Sequence, residues 1–138
     1  MGHLRGQEAL EKITKVVHRA QLYMSSVVAM ELRAGCRTRR DSRILEQLLA
    51  PFVSAGRIVT PHHAIFWRAG QTLADLGQRT GLDAAARRRL VNDVLIALSA
   101  VSIGAALVTE DRADFKLIAQ DVPLVWFSSV DALLAAET

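Results

Sequence analysis

The stretch Asn92-Asp93-Val94-Leu95-Ile96-Ala97 places a carboxylate inside an otherwise apolar segment with helical spacing. Asp93 has apolar residues three positions before it and three, four and seven positions after it, so it faces the core side of the helix. An unpaired charge in such a place costs on the order of several kcal/mol. We therefore expect Asp93 either to bind a cation or to tie down a neighbouring loop through backbone amides.

Further acids stand at comparable places in the chain. Glu31 has valines three and four positions before it and an alanine three positions after it, which predicts a second carboxylate on an apolar helix face. Glu110, Asp111 and Asp114 come directly after a predicted strand. Taken singly, Asp111 or Asp114 is better explained as the cap of a helix N-terminus.

Short apolar runs alternate with amphipathic segments along the whole chain. The predicted strands are residues 22–25, 57–60, 106–109 and 123–127. The first two predicted helices lie around residues 10–17 and at residues 27–35. A third is capped by Asp41 and ends at Gly56, and a fourth ends at Gly81 and has an apolar face made of Ile65, Phe66, Ala69, Leu73 and Leu76. A fifth runs from an Asp83 cap to about Gly104, and the last two are residues 112–120 and 129–136. This alternation predicts an α/β domain with a mainly parallel sheet, whose functional groups gather beyond the carboxyl ends of the strands.

Acids from three separate segments would repel one another at such a sheet edge unless a cation held them. Mg²⁺ or Mn²⁺ is the expected occupant, because both ions prefer oxygen ligands. The neighbouring residues His62 and His63 diverge by about 100° on a helix, so we interpret them as helix-start residues rather than as a metal pair.

Composition narrows the class of protein. A chain of 138 residues with 51% hydrophobic residues is expected to form a single domain over residues 1–138. It has no apolar run of the roughly 20 residues that a membrane span needs, and its N-terminus lacks the layout of a secretory signal. We therefore expect a cytoplasmic protein without membrane contact. Cys36 is the only cysteine, which excludes an internal disulfide and a CxxC metal site.

Arginines dominate the basic residues and are clustered. Fourteen of the seventeen basic residues are arginines, with groups at residues 37–43 and 87–89, although the net charge is only +3. Guanidinium groups match phosphate oxygens better than lysines do, which favours a polyanionic partner. A solvated helix face with its own salt bridges is an equally good interpretation of the clusters alone.

Three segments, in their order and approximate spacing, resemble PIN-domain toxins of the VapC type. They are Leu22-Tyr23-Met24-Ser25 with Met30-Glu31-Leu32-Arg33-Ala34-Gly35, then Asn92-Asp93-Val94-Leu95-Ile96-Ala97, then Leu107-Val108-Thr109-Glu110-Asp111-Arg112-Ala113-Asp114-Phe115. The resemblance implies a three-layer fold with a mainly parallel sheet flanked by helices. It also implies an endoribonuclease of a type II toxin–antitoxin system, dependent on Mg²⁺ or Mn²⁺, inhibited by a VapB-like antitoxin and forming a homodimer.

The resemblance also assigns roles to residues. Glu31, Asp93 and Asp111 match the family's metal-binding and catalytic acids, and Asp114 matches an auxiliary catalytic acid. The arginines of the two clusters are then expected to hold the RNA backbone; they are Arg37, Arg39, Arg40, Arg87 and Arg88.

The start of the chain departs from the family pattern. PIN domains open with a strand that ends in Asp-Thr or Asp-Ser, whereas Leu4-Arg5-Gly6 already resembles the segment after that strand. We therefore expect an N-terminally truncated domain without its first strand and its first metal-binding aspartate. Activity of this form is expected to be impaired, and the alternative function is a non-catalytic module that binds an antitoxin or dimerises.

A phospho-receiver-like domain, a third interpretation, is disfavoured because Lys12, Lys15 and Lys116 do not match its strand-borne lysine.

We predict that an added first strand increases activity. An extension of roughly five or six apolar residues ending in Asp-Thr, placed before Gly2, should restore sheet pairing and metal binding and so speed Mg²⁺-dependent cleavage of a mixed RNA substrate. The same extension with Asn in place of its Asp is the control. Equal cleavage by the original and extended chains, abolished in the original by Asp93→Asn, would show that the added aspartate is dispensable.

Overall fold

Residues 21–136 are described by the structure, which is a computed structural model. The helix predicted around residues 10–17 and the segment Leu4-Arg5-Gly6 lie outside the described residues, as does the predicted lack of a first strand. The chain divides into two compact units, Met1–Thr60 and Pro61–Thr138. The expectation of one domain over the whole chain stays a prediction.

The N-terminal unit contains two short parallel strands with two helices between them. Strand β1 is Met24–Ser25, helix α1 is Ser26–Ala34, helix α2 is Arg39–Ser54 and strand β2 is Ile58–Val59. Met24 lies opposite Ile58 in the ladder, and Ser25 lies opposite Val59. The parallel pairing confirms the predicted sheet type, since parallel strands need a long crossover between them.

Side-chain caps set where both of these helices begin. Ser25 Oγ accepts hydrogen bonds from the amides of Val27 and Val28, at 3.1 and 3.4 Å. Thr38 Oγ1 accepts one from the amide of Asp41 at 3.0 Å, so Thr38 is the N-cap of α2. The prediction that Asp41 caps this helix was wrong. The backbone at Thr38 is extended and aims its hydroxyl at the third amide of the helix, which places Asp41 in the first turn.

The C-terminal unit continues the alternation of helices and strands. Helix α3 is His63–Thr80, α4 is Ala84–Ser102, strand β3 is Leu107–Val108, α5 is Arg112–Ile118, strand β4 is Trp126–Phe127 and α6 is Val130–Ala136. Strands β3 and β4 are parallel, with Leu107 opposite Trp126 and Val108 opposite Phe127. The described residues thus form two separate two-stranded parallel sheets, one in each unit. The predicted α/β fold with parallel strands is confirmed.

The predicted start and end signals of α3 and α4 are confirmed. His62 is the N-cap of α3, and its Nδ1 accepts a hydrogen bond from the amide of Ala64 at 3.2 Å. Gly81 ends α3 in the left-handed region, with φ of 70°, where glycine carries no steric penalty. Asp83 Oδ1 accepts a hydrogen bond from the amide of Ala86 at 2.8 Å and so begins α4.

Helix α4 is the centre of the C-terminal unit. Its residues 94–99 are all buried, and it packs against both α3 and α5. Helix α3 contributes Ile65, Ala69 and the fully buried Leu76, and α5 contributes Phe115 and Ile118. This core holds α5 in contact with α4, which positions the acids described below.

One residue assigned to the apolar face of α3 does not lie there. Phe66 is 54% exposed, whereas the neighbouring Ile65 is buried. Adjacent helix positions differ by about 100°, so a helix that buries Ile65 turns Phe66 away from the same core.

Among the helices within residues 21–136, none is both long and apolar enough to span a membrane.

The core position of Leu76 predicts a large loss of stability on truncation. Leu76→Ala should lower the free energy of unfolding by roughly 2–5 kcal/mol, because it leaves a cavity at a site with no solvent exposure. Urea unfolding followed by tryptophan fluorescence measures this, since Trp67 and Trp126 both lie in the C-terminal unit. Val125→Ala, at a residue 61% exposed, is the control and should change stability by about 0.5 kcal/mol or less. Equal losses from the two substitutions would contradict the assignment of the core.

Candidate metal centre

Asp93 lies on α4 one residue before its fully buried segment. The side chain is half-buried, while residues 94–99 that follow it are buried. The helix therefore carries Asp93 at the edge of the core, where its carboxylate reaches the surface of the C-terminal unit. The sequence prediction of a carboxylate on the core side of this helix is confirmed in this weaker form.

Asp111 and Asp114 are placed by the turn that follows strand β3. The amide of Thr109 donates to the carbonyl of Phe127 at 3.0 Å and so extends the pairing of β3 with β4. Thr109 Oγ1 then accepts a hydrogen bond from the amide of Asp111 at 3.1 Å. Asp111 Oδ1 in turn accepts one from the amide of Asp114 at 3.4 Å, which makes Asp111 the N-cap of α5. The capping interpretation of Asp111 is thus confirmed.

The capping residue also belongs to a group of three acids. One carboxylate oxygen from each of Asp93, Asp111 and Asp114 lies within 4.8 Å of the other two. Among residues 21–136, three or more histidine, cysteine or acidic side chains lie close enough to share a metal ion only in this group. Its ligands are all carboxylate oxygens, the donor type that Mg²⁺ and Mn²⁺ prefer. The described residues of this centre therefore fit a hard divalent cation.

Electrostatic strain within the group appears at Asp114. Partial burial raises the pKa of the Asp114 carboxyl, and the charge of Asp111 and a hydrogen bond with its side chain raise it further. A hydrogen bond with Asp93 and the positive charge of Arg89 act in the opposite direction. The net shift is upward, so this carboxyl holds its proton more tightly than an ordinary aspartate. A group arranged in this way is relieved by a positive charge.

Sequence reasoning counted Arg89 in the arginine cluster at residues 87–89 but did not place it beside the acids. The arginines assigned to RNA in that cluster were Arg87 and Arg88, whereas Arg89 is the one whose charge acts on Asp114. The sequence could have predicted this position, because Arg89 stands four residues before Asp93 and so lies on the same face of the helix.

Glu31 lies in the N-terminal unit, on α1. The prediction that it lies on a buried helix face was wrong, because Glu31 is exposed while Val27 is buried and Val28 is half-buried. Helix α1 buries a narrow stripe, and Glu31 and its neighbour Met30 point to solvent instead. A role for Glu31 in metal binding stays a prediction. Glu110, the first acid after β3, is exposed and is not a member of the group of three.

The predicted RNA-binding arginines fall into two structural settings. Arg37, Arg39 and Arg40 are exposed at the start of α2, and Arg88 is exposed on α4. Arg87 is half-buried, and a Cβ atom added to Gly77 would lie 2.8 Å from its Cδ. The stem of Arg87 therefore fills space above a glycine of α3. Packing is a sufficient reason for an arginine at this position, and RNA contact by these residues stays a prediction.

Comparison with known proteins identified a family and solved structures with a similar fold. The sequence model of the family described as the PIN domain matches residues 1–121. No curated protein sequence gave a significant match. A solved structure described as "Structure of FitAB bound to IR36 DNA fragment" aligns with a TM-score of 0.53 and 17% sequence identity, over 86% of this chain and 82% of that chain. At this identity the likeness concerns the fold alone.

The interaction between the two acids of α5 gives a direct prediction. Asp111→Asn should lower the pKa of Asp114, because it removes a neighbouring negative charge, while asparagine still caps the helix as well as aspartate does. Carbon-detected NMR titration of the metal-free protein measures the shift. Asp131→Asn, at an exposed aspartate of α6, is the matched control and should leave the titration unchanged. An unchanged pKa in the Asp111 variant would contradict the described geometry of the three acids.

Proposed function

Because the chain belongs to the PIN domain family, we propose that it is a metal-dependent endoribonuclease of the VapC toxin type. The sequence resemblance to this family is thereby confirmed, and the fold agrees with it. The observation that carries the proposal is the convergence of Asp93, Asp111 and Asp114, whose carboxylate oxygens lie within 4.8 Å of one another.

The cost of this arrangement supports a cation-binding role. Three carboxylates that share a site repel one another. Partial burial is the main cause of the raised pKa of Asp114, and the negative charge of Asp111 raises it further. PIN nucleases are typically metal-dependent, and the ligands proposed for Mg²⁺ or Mn²⁺ are Asp93 and Asp111, with Glu31 added on the family resemblance. Asp114 is proposed as an auxiliary acid that holds the metal ligands in place.

The chemistry proposed for this centre is hydrolysis of a phosphodiester bond. When bound, a divalent cation would supply a Lewis acid that activates water and stabilises charge on a scissile phosphate. Asp93 and Asp111 would hold the cation, because one stands at the edge of a buried helix segment and the other is held by its own capping bond. Arg89 lies near Asp114 and is suited to contact a phosphate oxygen at the same centre.

The polymer substrate and the protein partners rest on the family resemblance. RNA is the proposed substrate, with the exposed arginines of both clusters contacting its phosphates. A VapB-like antitoxin is the proposed inhibitor, and a homodimer is the proposed assembly.

Asp93→Asn is expected to abolish the activity. The substitution removes a metal ligand and its charge, so it should weaken Mn²⁺ binding measured by calorimetry and slow Mg²⁺-dependent RNA cleavage by roughly 100-fold or more. Stability of the metal-free protein should rise or stay unchanged, because repulsion is relieved. Asp75→Asn, at an exposed aspartate of α3, is the matched control for loss of one negative charge.

Two results would change the proposal. Unchanged Mn²⁺ affinity in the Asp93 variant would show that the three acids do not form the metal site. Normal Mn²⁺ binding by the unsubstituted chain without any cleavage would favour the alternative, a non-catalytic PIN module that acts in antitoxin binding or dimerisation.

A further inference from the structure

A depression lined by arginines lies on the N-terminal unit, between the end of α1 and the start of α2. Its volume is about 580 Å³, which is within the roughly 300–1,000 Å³ of ligand sites in proteins. Four arginines line it, together with Ser42 and one acid, Glu46; the arginines are Arg33, Arg37, Arg39 and Arg43. Arg33 lies outside the arginine clusters found in the sequence, whereas Arg43 belongs to the cluster at residues 37–43. Arg40 of that cluster does not line the depression.

The local structure explains why these arginines converge. Arg33 lies in the last turn of α1, and the chain then turns through Gly35, the C-cap of that helix, towards Thr38, the N-cap of α2. Arg39 and Arg43 are four positions apart in α2 and so share one helix face. The short connection between the helices therefore brings guanidinium groups from both helices and from the connection itself to one place.

The positive charge gathered there is only partly compensated, because the four arginines share the depression with one acid, Glu46. A helix N-terminus carries a partial positive charge and normally favours acids, yet the first turn of α2 begins with Arg39 and Arg40. The acid of that turn, Asp41, accepts a hydrogen bond from the backbone amide of Arg37 at 3.2 Å. The salt bridge recorded among residues 21–136 joins Arg79 to Asp121, so none of the four arginines forms one with a described residue.

We propose that this arginine depression binds phosphate groups of the RNA backbone. The identity of the polymer rests on the proposed function, whereas the phosphate chemistry rests on the depression itself. Guanidinium groups donate paired hydrogen bonds to phosphate oxygens, and their exposure lets a strand reach them from solvent. The positive end of α2 adds a favourable field for the same anion. The depression therefore anchors the strand through its backbone and reads no base.

The test measures binding without cleavage. All variants carry Asp93→Asn and are assayed in the presence of a chelator, with affinity for a fluorescent single-stranded RNA measured by anisotropy between 50 and 200 mM salt, the range over which about 10³-fold changes are typical. Arg43→Ala should weaken binding and reduce the slope of log affinity against log salt by about 0.7, the value for one lost phosphate contact on a single strand. Arg68→Ala, at an exposed arginine of α3, is the matched control and should leave the slope unchanged.

Further variants separate charge from geometry and from misfolding. Arg43→Lys keeps the charge and should preserve the salt slope while lowering the affinity, because lysine cannot form the paired hydrogen bonds. Arg37→Ala, in the connection between the helices, should repeat the effect of Arg43→Ala even if the latter variant folds poorly. With a DNA strand of the same sequence, Arg43→Ala should reduce the slope of log affinity against log salt by the same amount, because DNA offers the same phosphates.

Several outcomes would overturn the proposal. Equal effects of Arg43→Ala and Arg68→Ala would show that only net charge matters. A loss confined to binding of a polyglutamate peptide, with RNA affinity unchanged, would assign the depression to an acidic protein partner instead. Cleavage by the unsubstituted chain with no effect of Arg43 on binding would sink this proposal and leave the nuclease proposal intact. If Arg43→Ala weakens RNA binding but the unsubstituted chain does not cleave RNA, the arginine depression is supported and the nuclease proposal is contradicted.

Discussion

The arrangement of the C-terminal unit depends on the burial of residues 94–99 of α4. This segment contacts α3 on one side and α5 on another, and both neighbours bury apolar residues against it. The position of α5 is therefore fixed by hydrophobic packing rather than by the acids at its start. Asp93, at the edge of the buried segment, and Asp111, at the cap of α5, are brought together because the two helices must pack. The core thus supplies the free energy that holds like charges close to one another.

The acids oppose the fold that positions them. The pKa of Asp114 is raised, so its charged form is less stable in the folded protein than in the unfolded chain. This destabilisation is absent below the unfolded value of 3.8 and develops as the pH rises through the folded pKa. At neutral pH the metal-free unit carries the full effect. A divalent cation would reverse it, because binding to the folded state alone adds stability by mass action. A centre of this kind couples the stability of the unit to the supply of metal.

Local signals in the sequence predicted most of the elements, and the failures have specific physical causes. Asp83, Gly81 and His62 were assigned correctly because a cap acts on its own helix end and needs no information from elsewhere. Asp41 was misassigned as a cap because the choice between it and Thr38 depends on the backbone conformation of the connection, which residue types do not specify. Glu31 and Phe66 were placed on buried faces because periodicity gives the direction of an apolar stripe but not its width. The closeness of Asp93 to Asp111 and Asp114 was expected because functional groups of a parallel sheet gather beyond the carboxyl ends of its strands. The influence of Arg89 on Asp114 depends on the packing of the two helices, which the sequence did not show.

Asp93 and Asp114 are half-buried, whereas the arginines around the arginine depression are exposed, and this difference has a chemical reason. Carboxylates on short side chains must be held at fixed positions to serve as metal ligands, so they need the rigid support of a core, as Asp93 has on α4. Arginines that meet a flexible polymer need reach and access to solvent, and those around the arginine depression project from helix ends and a connection. The metal-site acids and the arginines therefore arise from different parts of the sequence pattern. The acids interrupt apolar helix faces or follow strands, whereas the arginines cluster where the chain is most polar. The proposed function rests on the combination of both patterns, with the acids as the proposed cation site and the arginines as the proposed surface for phosphates.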